Sequence, residues 1–208
     1  SSEIKLIKGA GVDLSKFKFF KKKNAKTVLL PARVIKEKGI EEFINAAVSL
    51  NKKFPDWRFI VAGALDYEKQ SKLNANTIKN LNKNNIVKFL GYVKSMDKLY
   101  KKTSIVCLPS YREGFSRTLQ EAAASGIPIV TTNVVGCKDS IIPNFTGLLC
   151  RPKNSKSLEK KLEILILDRK KRIFFGLNGR KLAEKEFELS KVLKNNLDIY
   201  DNLIKNIK

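Results

Sequence analysis

Ile105-Val106-Cys107-Leu108-Pro109-Ser110-Tyr111-Arg112-Glu113-Gly114-Phe115-Ser116-Arg117-Thr118-Leu119-Gln120-Glu121-Ala122-Ala123-Ala124-Ser125-Gly126-Ile127-Pro128-Ile129-Val130-Thr131-Thr132 reads as strand, loop, helix and strand. Ile105 to Leu108 is apolar without alternation, the pattern of a strand buried on both faces, and Pro109 closes it. Ser116 to about Ser125 suits a helix, and Ile127 to Thr132 is again a β-rich run. A strand–helix–strand unit of this length predicts parallel strands joined by a crossover helix.

The same rhythm extends in both directions. Toward the N-terminus stand strands at Ile86 to Leu90 (ending at Gly91), Trp57 to Ala62 (ending at Gly63) and Thr27 to Leu30. A helix from Met96 to Thr103 and a lysine- and asparagine-rich helical stretch separate them. Another helix runs from Gly39 to about Phe54, with Ile40, Phe43, Ile44, Ala47 and Leu50 forming one apolar stripe. Beyond Gly147 to Cys150 the pattern is helical, with Ser155 or Ser157 as N-cap and a last helix from about Ser190 to Ile207. The expectation is one α/β domain over residues 1–208, a Rossmann-like parallel sheet with helices on both faces and a helical C-terminus.

Lysine and arginine total 42 against 20 acidic residues, a net charge of +22 with no histidine. Ser-His-Asp and Cys-His catalysis are therefore excluded within this chain. At 43% hydrophobic and 30% charged the composition is that of a folded domain, not of a collagenous, mucin-like or disulfide-scaffold protein. Apolar runs such as Ile60 to Ala64 fall far short of the roughly 20 residues that span a bilayer. Ser1 to Leu6 lacks the apolar core of a signal peptide, which leaves the cytoplasm as the expected compartment. Cys107, Cys137 and Cys150 are odd in number and widely spaced, and read as buried free thiols with no zinc site.

Ligands of open parallel sheets bind outside the carboxyl ends of the strands. That rule selects the loops Pro31 to Gly39, Gly63 to Tyr67, Gly91 to Val93, Pro109 to Phe115 and Thr132 to Asp139. In the fourth, Glu113 precedes a helix and Glu121 lies within it. Eight residues of helix rise about 12 Å, enough for two carboxylates to grip hydroxyls at the two ends of one nucleotide-sugar. Amides of Gly114 to Thr118 open the helix N-terminus between them, where a phosphate is favoured. The alternative is a surface loop with a capped helix. Arg33 and Lys38 flank the first loop, and an arginine fork with a lysine point charge suits a diphosphate; in a chain this basic the spacing alone also arises by chance.

These residues bring the chain to a family: it resembles the C-terminal, nucleotide-sugar-binding half of a GT-B glycosyltransferase of family 4. The resemblance rests on Glu113-x7-Glu121, on Gly9-Ala10-Gly11-Val12-Asp13, and on Ala32-Arg33 through Lys38-Gly39. Phe89 to Val93, Ala122 to Val130, Asn133 to Cys137 and Thr146 to Leu149 continue it in order. It implies that Arg33 and Lys38 bind the donor diphosphate, Glu113 contacts sugar hydroxyls and Glu121 holds the ribose. It further implies backbone contacts from Gly114, Phe115, Ser116 and Arg117, a base-binding segment at Gly91, Tyr92 and Val93, and a close approach of Gly11 to the donor phosphate. Ala32 and Ser116 stand where the family more often has glycine.

The implied reaction is retaining transfer from a nucleotide-sugar, UDP being preferred with GDP or ADP as alternatives. The acceptor is a hydroxyl of a lipid-linked or surface-polysaccharide glycan. No cofactor and no metal are implied, and the donor phosphate takes the acceptor proton. An N-terminal acceptor domain is expected to complete the enzyme, with the last helix packing on it through Val192, Leu193, Leu197, Tyr200, Leu203 and Ile204.

The competing class is a non-enzymatic basic module for nucleic acid or anionic membrane, motivated by the charge and by Lys16 to Lys26 and Arg169 to Arg172. The lysines are scattered and carry no nucleic-acid motif, so solvated faces are expected and nucleic acid is not. A subset is expected to meet the anionic inner leaflet. Trp57, Phe19, Phe20, Phe174 and Phe175 are expected to pack in the core or to mark surface left bare by the second domain.

Overall fold

The computed structural model describes residues 9–20, 25–65 and 75–205. Tyr67, Lys21 to Asn24, Ile207 and the N-terminal Ser1 to Leu6 lie outside the described residues.

The sheet has six parallel strands: β1 (Thr27–Leu30), β2 (Arg58–Val61), β3 (Lys88–Phe89), β4 (Ile105–Leu108), β5 (Ile129–Thr132) and β6 (Gly147–Cys150), in the order β3-β2-β1-β4-β5-β6. Helices follow as α1 (Ile40–Lys53), α2 (Ala75–Lys83), α3 (Met96–Tyr100), α4 (Arg117–Ala124), α5 (Ser155–Leu167), α6 (Arg169–Leu182) and α7 (Leu189–Lys205), with a π-helical turn at Ala183–Phe187. Alternate residues of β1 and β4 feed two cores. Val28, Leu30, Ile105 and Cys107 meet Phe43, Leu50, Leu158 and Leu162 on the face covered by α1 and α5. Leu29, Val106 and Leu108 meet Leu119, Ala122, Ala123 and Phe187 on the face covered by α4 and the π turn. Every side chain of β1 and β4 is buried, which is why neither run alternates.

Boundaries shift where single-residue preference competes with pairing. The run read at Ile86 to Leu90 pairs with β2 only through Lys88 and Phe89. The run Trp57 to Ala62 narrows to Arg58–Val61, and the helix read to Thr103 ends at Tyr100. The last helix starts at Leu189, one residue before the expected Ser190. Neither Ser155 nor Ser157 caps α5. Asn154, in extended backbone, accepts from Ser157 N at 2.7 Å, and Ser157 Oγ accepts from Arg151 N instead.

Trp57 is buried, with the Arg172 guanidinium 5.1 Å from its ring centre. Phe175 is core, whereas Phe19 and Phe174 are exposed. The three cysteines are buried and free. Burial raises all three thiol pKa values, Cys150 to about 12, so they stay protonated and unreactive. Among the described residues no helix is long and apolar enough to cross a membrane.

Asn154→Ala should lower stability to urea by about 1 kcal/mol, the usual value of an N-cap, while Ser155→Ala should stay within about 0.5 kcal/mol. Equal effects would remove Asn154 as the cap.

Candidate active site

β1 and β4 are neighbours although two strands intervene in sequence, so the chain leaves them toward opposite sides of the sheet and their loops part. The crevice at this switch point joins the loop carrying Arg33 and Lys38 to the loop carrying Glu113. Lys38 Nζ lies 2.6 Å from Glu113 Oε1, a pair half-withdrawn from solvent and spanning 75 residues of sequence.

Backbone contacts fix that pair. Ser110 Oγ and Tyr111 N both donate to the Glu37 carbonyl, at 3.0 and 2.8 Å. Tyr111 Oη donates to Glu42 Oε1 at 2.7 Å, tying the β4 loop to the first turn of α1. Burial and Glu42 push the Tyr111 hydroxyl well above its usual pKa, so it remains a donor. Gly39, at φ +69°, packs so closely that a Cβ would overlap the Pro109 carbonyl. From the other side Gly136, at φ +79°, presses on the carbonyls of Glu113 and Gly114. Its N–H donates to Asp139 Oδ2 at 2.8 Å and its carbonyl accepts from Ser140 Oγ at 2.7 Å. Thr132 Oγ1 donates to the Ser110 carbonyl beneath. The Glu113 loop is thus held between two backbone walls.

α4 begins at Arg117, not at Glu113. Only four residues of helix, about 6 Å of rise, separate Arg117 from Glu121, so the expected 12 Å helical span does not apply. Ser116, buried, accepts from Leu119 N at 3.4 Å and caps the helix. The Phe115 ring packs edge-on against Phe187 at 5.6 Å, and Thr118 lends its carbonyl to Tyr100 Oη at 3.4 Å. Tyr100 Oη also donates to Glu121 Oε2 at 3.2 Å. Burial raises the Glu121 pKa, with Tyr100, Arg117 and Lys16 pulling the other way. Glu121 is therefore a half-buried carboxylate supported from below by a buried phenol.

The remaining expected residues spread along the same edge. Arg33 and Gly114 are exposed beside the crevice. Gly91 and Val93 follow β3, three places along the sheet from β4, and Tyr92 between them is 79% exposed. Gly11 is buried against the backbone of Phe187 to Leu189, where Val12 N donates to the Phe187 carbonyl at 2.7 Å. Gly9, not Gly11, faces Phe115 and Gln120. Sequence reasoning missed the Tyr111–Glu42 and Tyr100–Glu121 pairs. Tyr111 stood inside the quoted loop, but its partner 69 positions earlier follows only from the tertiary fold.

Two outcomes follow from this geometry. Gly136→Ala should destabilise the protein by about 1–3 kcal/mol, because a Cβ strains both the turn and the Glu113 carbonyl; an unchanged urea midpoint would show that the wall yields. Because Glu121 is raised by burial, its ionisation opposes folding. Stability referable to it is full below the unfolded carboxyl pKa and declines as pH rises through the folded value. Glu121→Gln should then gain stability at neutral pH and lose that advantage in acid, and a pH-independent difference would contradict the assignment.

The sequence profile of the family Glycosyl transferases group 1 matches residues 12–182. An N,N'-diacetylbacillosaminyl-diphospho-undecaprenol alpha-1,3-N-acetylgalactosaminyltransferase of Campylobacter jejuni is 30% identical over 99% of this chain and 56% of its own. The capsular polysaccharide biosynthesis glycosyltransferase CapM of Staphylococcus aureus is 29% identical over 83% of this chain and 45% of its own. The chain thus spans about half the length of these relatives. Among solved structures, the C-terminal domain of the group 1 glycosyl transferase LpcC from Francisella tularensis superposes with a TM-score of 0.77 at 26% identity, covering 86% of this chain and all of that one. Anabaena HepE, solved with UDP and glucose, gives 0.78 at 23% identity over 93% of this chain and 55% of its own, and shares the fold. With the fold, the loop order and the sequence profile in agreement, this chain belongs to the glycosyl transferases group 1 family.

Proposed function

We propose that this chain is the donor-binding half of a retaining glycosyltransferase of family 4, using a UDP-sugar. The observation that carries the reading is the Lys38–Glu113 pair at the switch point: a cation for a diphosphate within 2.6 Å of a carboxylate for a hydroxylated ring. Arg33 and Lys38 neutralise the departing diphosphate, Glu113 accepts from sugar hydroxyls, and Glu121, backed by Tyr100, accepts from the ribose. Gly114 to Thr118 offer amides at the α4 N-terminus, and Gly91 to Val93 meet the base.

The C1–O bond to the β-phosphate breaks, its electrons going to the diphosphate. The acceptor hydroxyl oxygen bonds to C1 on the same face and gives its proton to a phosphate oxygen. No protein nucleophile takes part, and side-chain cations supply the charge stabilisation in place of a metal ion. The acceptor is a lipid-linked or surface-polysaccharide glycan, in keeping with relatives whose names specify an undecaprenol-linked substrate and capsular polysaccharide. A second domain binds it on the cytoplasmic side of the membrane. α7 fits against that domain, since Leu193, Leu197, Tyr200 and Ile204 are each more than half exposed on a stripe of helical spacing.

Calorimetric titration with UDP, GDP, ADP and their sugar conjugates tests this. Arg33→Ala and Lys38→Ala should each weaken UDP binding by about ten- to a hundredfold, the value of a charge-assisted contact. Glu113→Ala should leave UDP affinity intact or higher and narrow the gap between UDP-sugar and UDP. Parent-like binding by all three variants, or binding only of a random oligonucleotide that vanishes as salt rises, would sink the reading.

A further inference from the structure

A second surface lies away from the donor loops. On α6, Lys170, Ile173, Phe174, Leu177 and Lys181 recur at spacings of three and four, and all five are exposed. Ile173 and Phe174 are each 49% exposed and Leu177 44%. Phe145, itself 43% exposed, meets Phe174 edge-on at 5.4 Å, and Ile142, three residues earlier in the same turn, is 44% exposed. Phe145 lies just before β6 and Trp57, which stacks on Arg172, just before β2. The start of α6 therefore sits at the amino edge of the sheet, opposite the donor loops.

Charge distinguishes this surface from the apolar side of α7. Arg169 to Ala183 contains six basic residues and no acidic one. Arg172 is buried on the Leu165 and Ile166 carbonyls, Lys171 lies 3.9 Å from Asp168, and Arg180 pairs with Glu184, which leaves Arg169, Lys170 and Lys181 exposed around the apolar centre. α7 and the residue before it instead mix Glu188, Asp198 and Asp201 with Lys191, Lys194 and Lys205. Large apolar side chains flanked by lysines, with the nearest carboxylates, Asp168 and Glu184, at the two ends of the stretch and each beside a basic side chain, match an anionic lipid surface: the rings enter the headgroup boundary and the lysine stems reach back to the phosphates.

We propose that the α6–Phe145 surface is where this protein docks peripherally on an anionic membrane. This goes beyond the donor-site reading, because it stands on exposure and charge alone. Docking through the amino edge leaves the carboxyl edge facing water, from which a nucleotide-sugar arrives, and a lipid-linked acceptor then reaches the donor loops only as a glycan long enough to span the domain.

The test is flotation of the chain with vesicles of phosphatidylcholine, with and without one quarter phosphatidylglycerol, at low and high salt. Binding should need phosphatidylglycerol and weaken with salt. Lys170→Gln with Lys181→Gln should reduce partitioning about 25-fold, some fivefold per cation, and Phe174→Ser should reduce it on the order of tenfold. The pair Lys79→Gln with Lys98→Gln, exposed on α2 and α3 toward the β3 edge of the sheet, controls for net charge. An equal loss in that pair, or equal binding to neutral vesicles, would overturn the proposal. So would a dimer that Phe174→Ser dissociates in sedimentation while vesicles go unbound, which would make the surface a contact between copies. UDP titration of the same variants should match the parent, reporting an intact fold; vesicle binding by a parent that binds no nucleotide would refute the donor site alone.

Discussion

The structure depends on β1 having no free side. It pairs with β2 along one edge and β4 along the other, and its two faces open into two different cores. A strand so enclosed must be apolar throughout, its partners must be parallel, and the connecting chain must cover both faces with helices. The same enclosure makes the chain part in two directions above it. The crevice of the candidate site is therefore a product of strand order, and its residues are those that the order delivers to one edge.

At that edge the backbone provides the rigidity. Gly39 and Gly136 bring neighbouring loops into contact with the carbonyls of Pro109, Glu113 and Gly114, and side chains at Ser110, Tyr111 and Thr132 bind the same loop through hydrogen bonds. Little of this rests on ion pairing. The charges at the site are few and specific in a chain whose lysines mostly face water.

Much of the fold was legible because burial on both faces leaves its mark locally, in Thr27 to Leu30, Ile105 to Leu108 and Ile129 to Thr132; Gly147 to Cys150 was not read as a strand. β3 was overread because Ile86 and Val87 have strand-like side chains but pack elsewhere, Val87 in the core beside α2. The cap of α5 went to Asn154 because extended backbone precedes the helix there, a geometry invisible in a run of Asn, Ser, Lys and Ser. The two glutamates were visible as a motif, and the resemblance supplied roles for them. The Tyr100 hydroxyl behind Glu121 was not visible, nor was the Tyr111–Glu42 bond that ties the Glu113 loop to α1, since each pair is joined only once the sheet has folded. The reading of an eight-residue helical separation failed because loop residues up to Ser116 occupy half of it.

If a donor binds as proposed, the Lys38–Glu113 pair also bears on how a product leaves. Each group already has its counter-ion, so a diphosphate that takes Lys38 strips Glu113 of its partner and leaves a carboxylate in a half-buried place. A donor that brings sugar hydroxyls hands Glu113 new hydrogen bonds in exchange. The nucleoside diphosphate left after transfer has none to offer, and Glu113 then competes with it for Lys38. On that proposal the Lys38–Glu113 pair acts as a returning spring, favouring the intact substrate over the spent one at the same anion subsite.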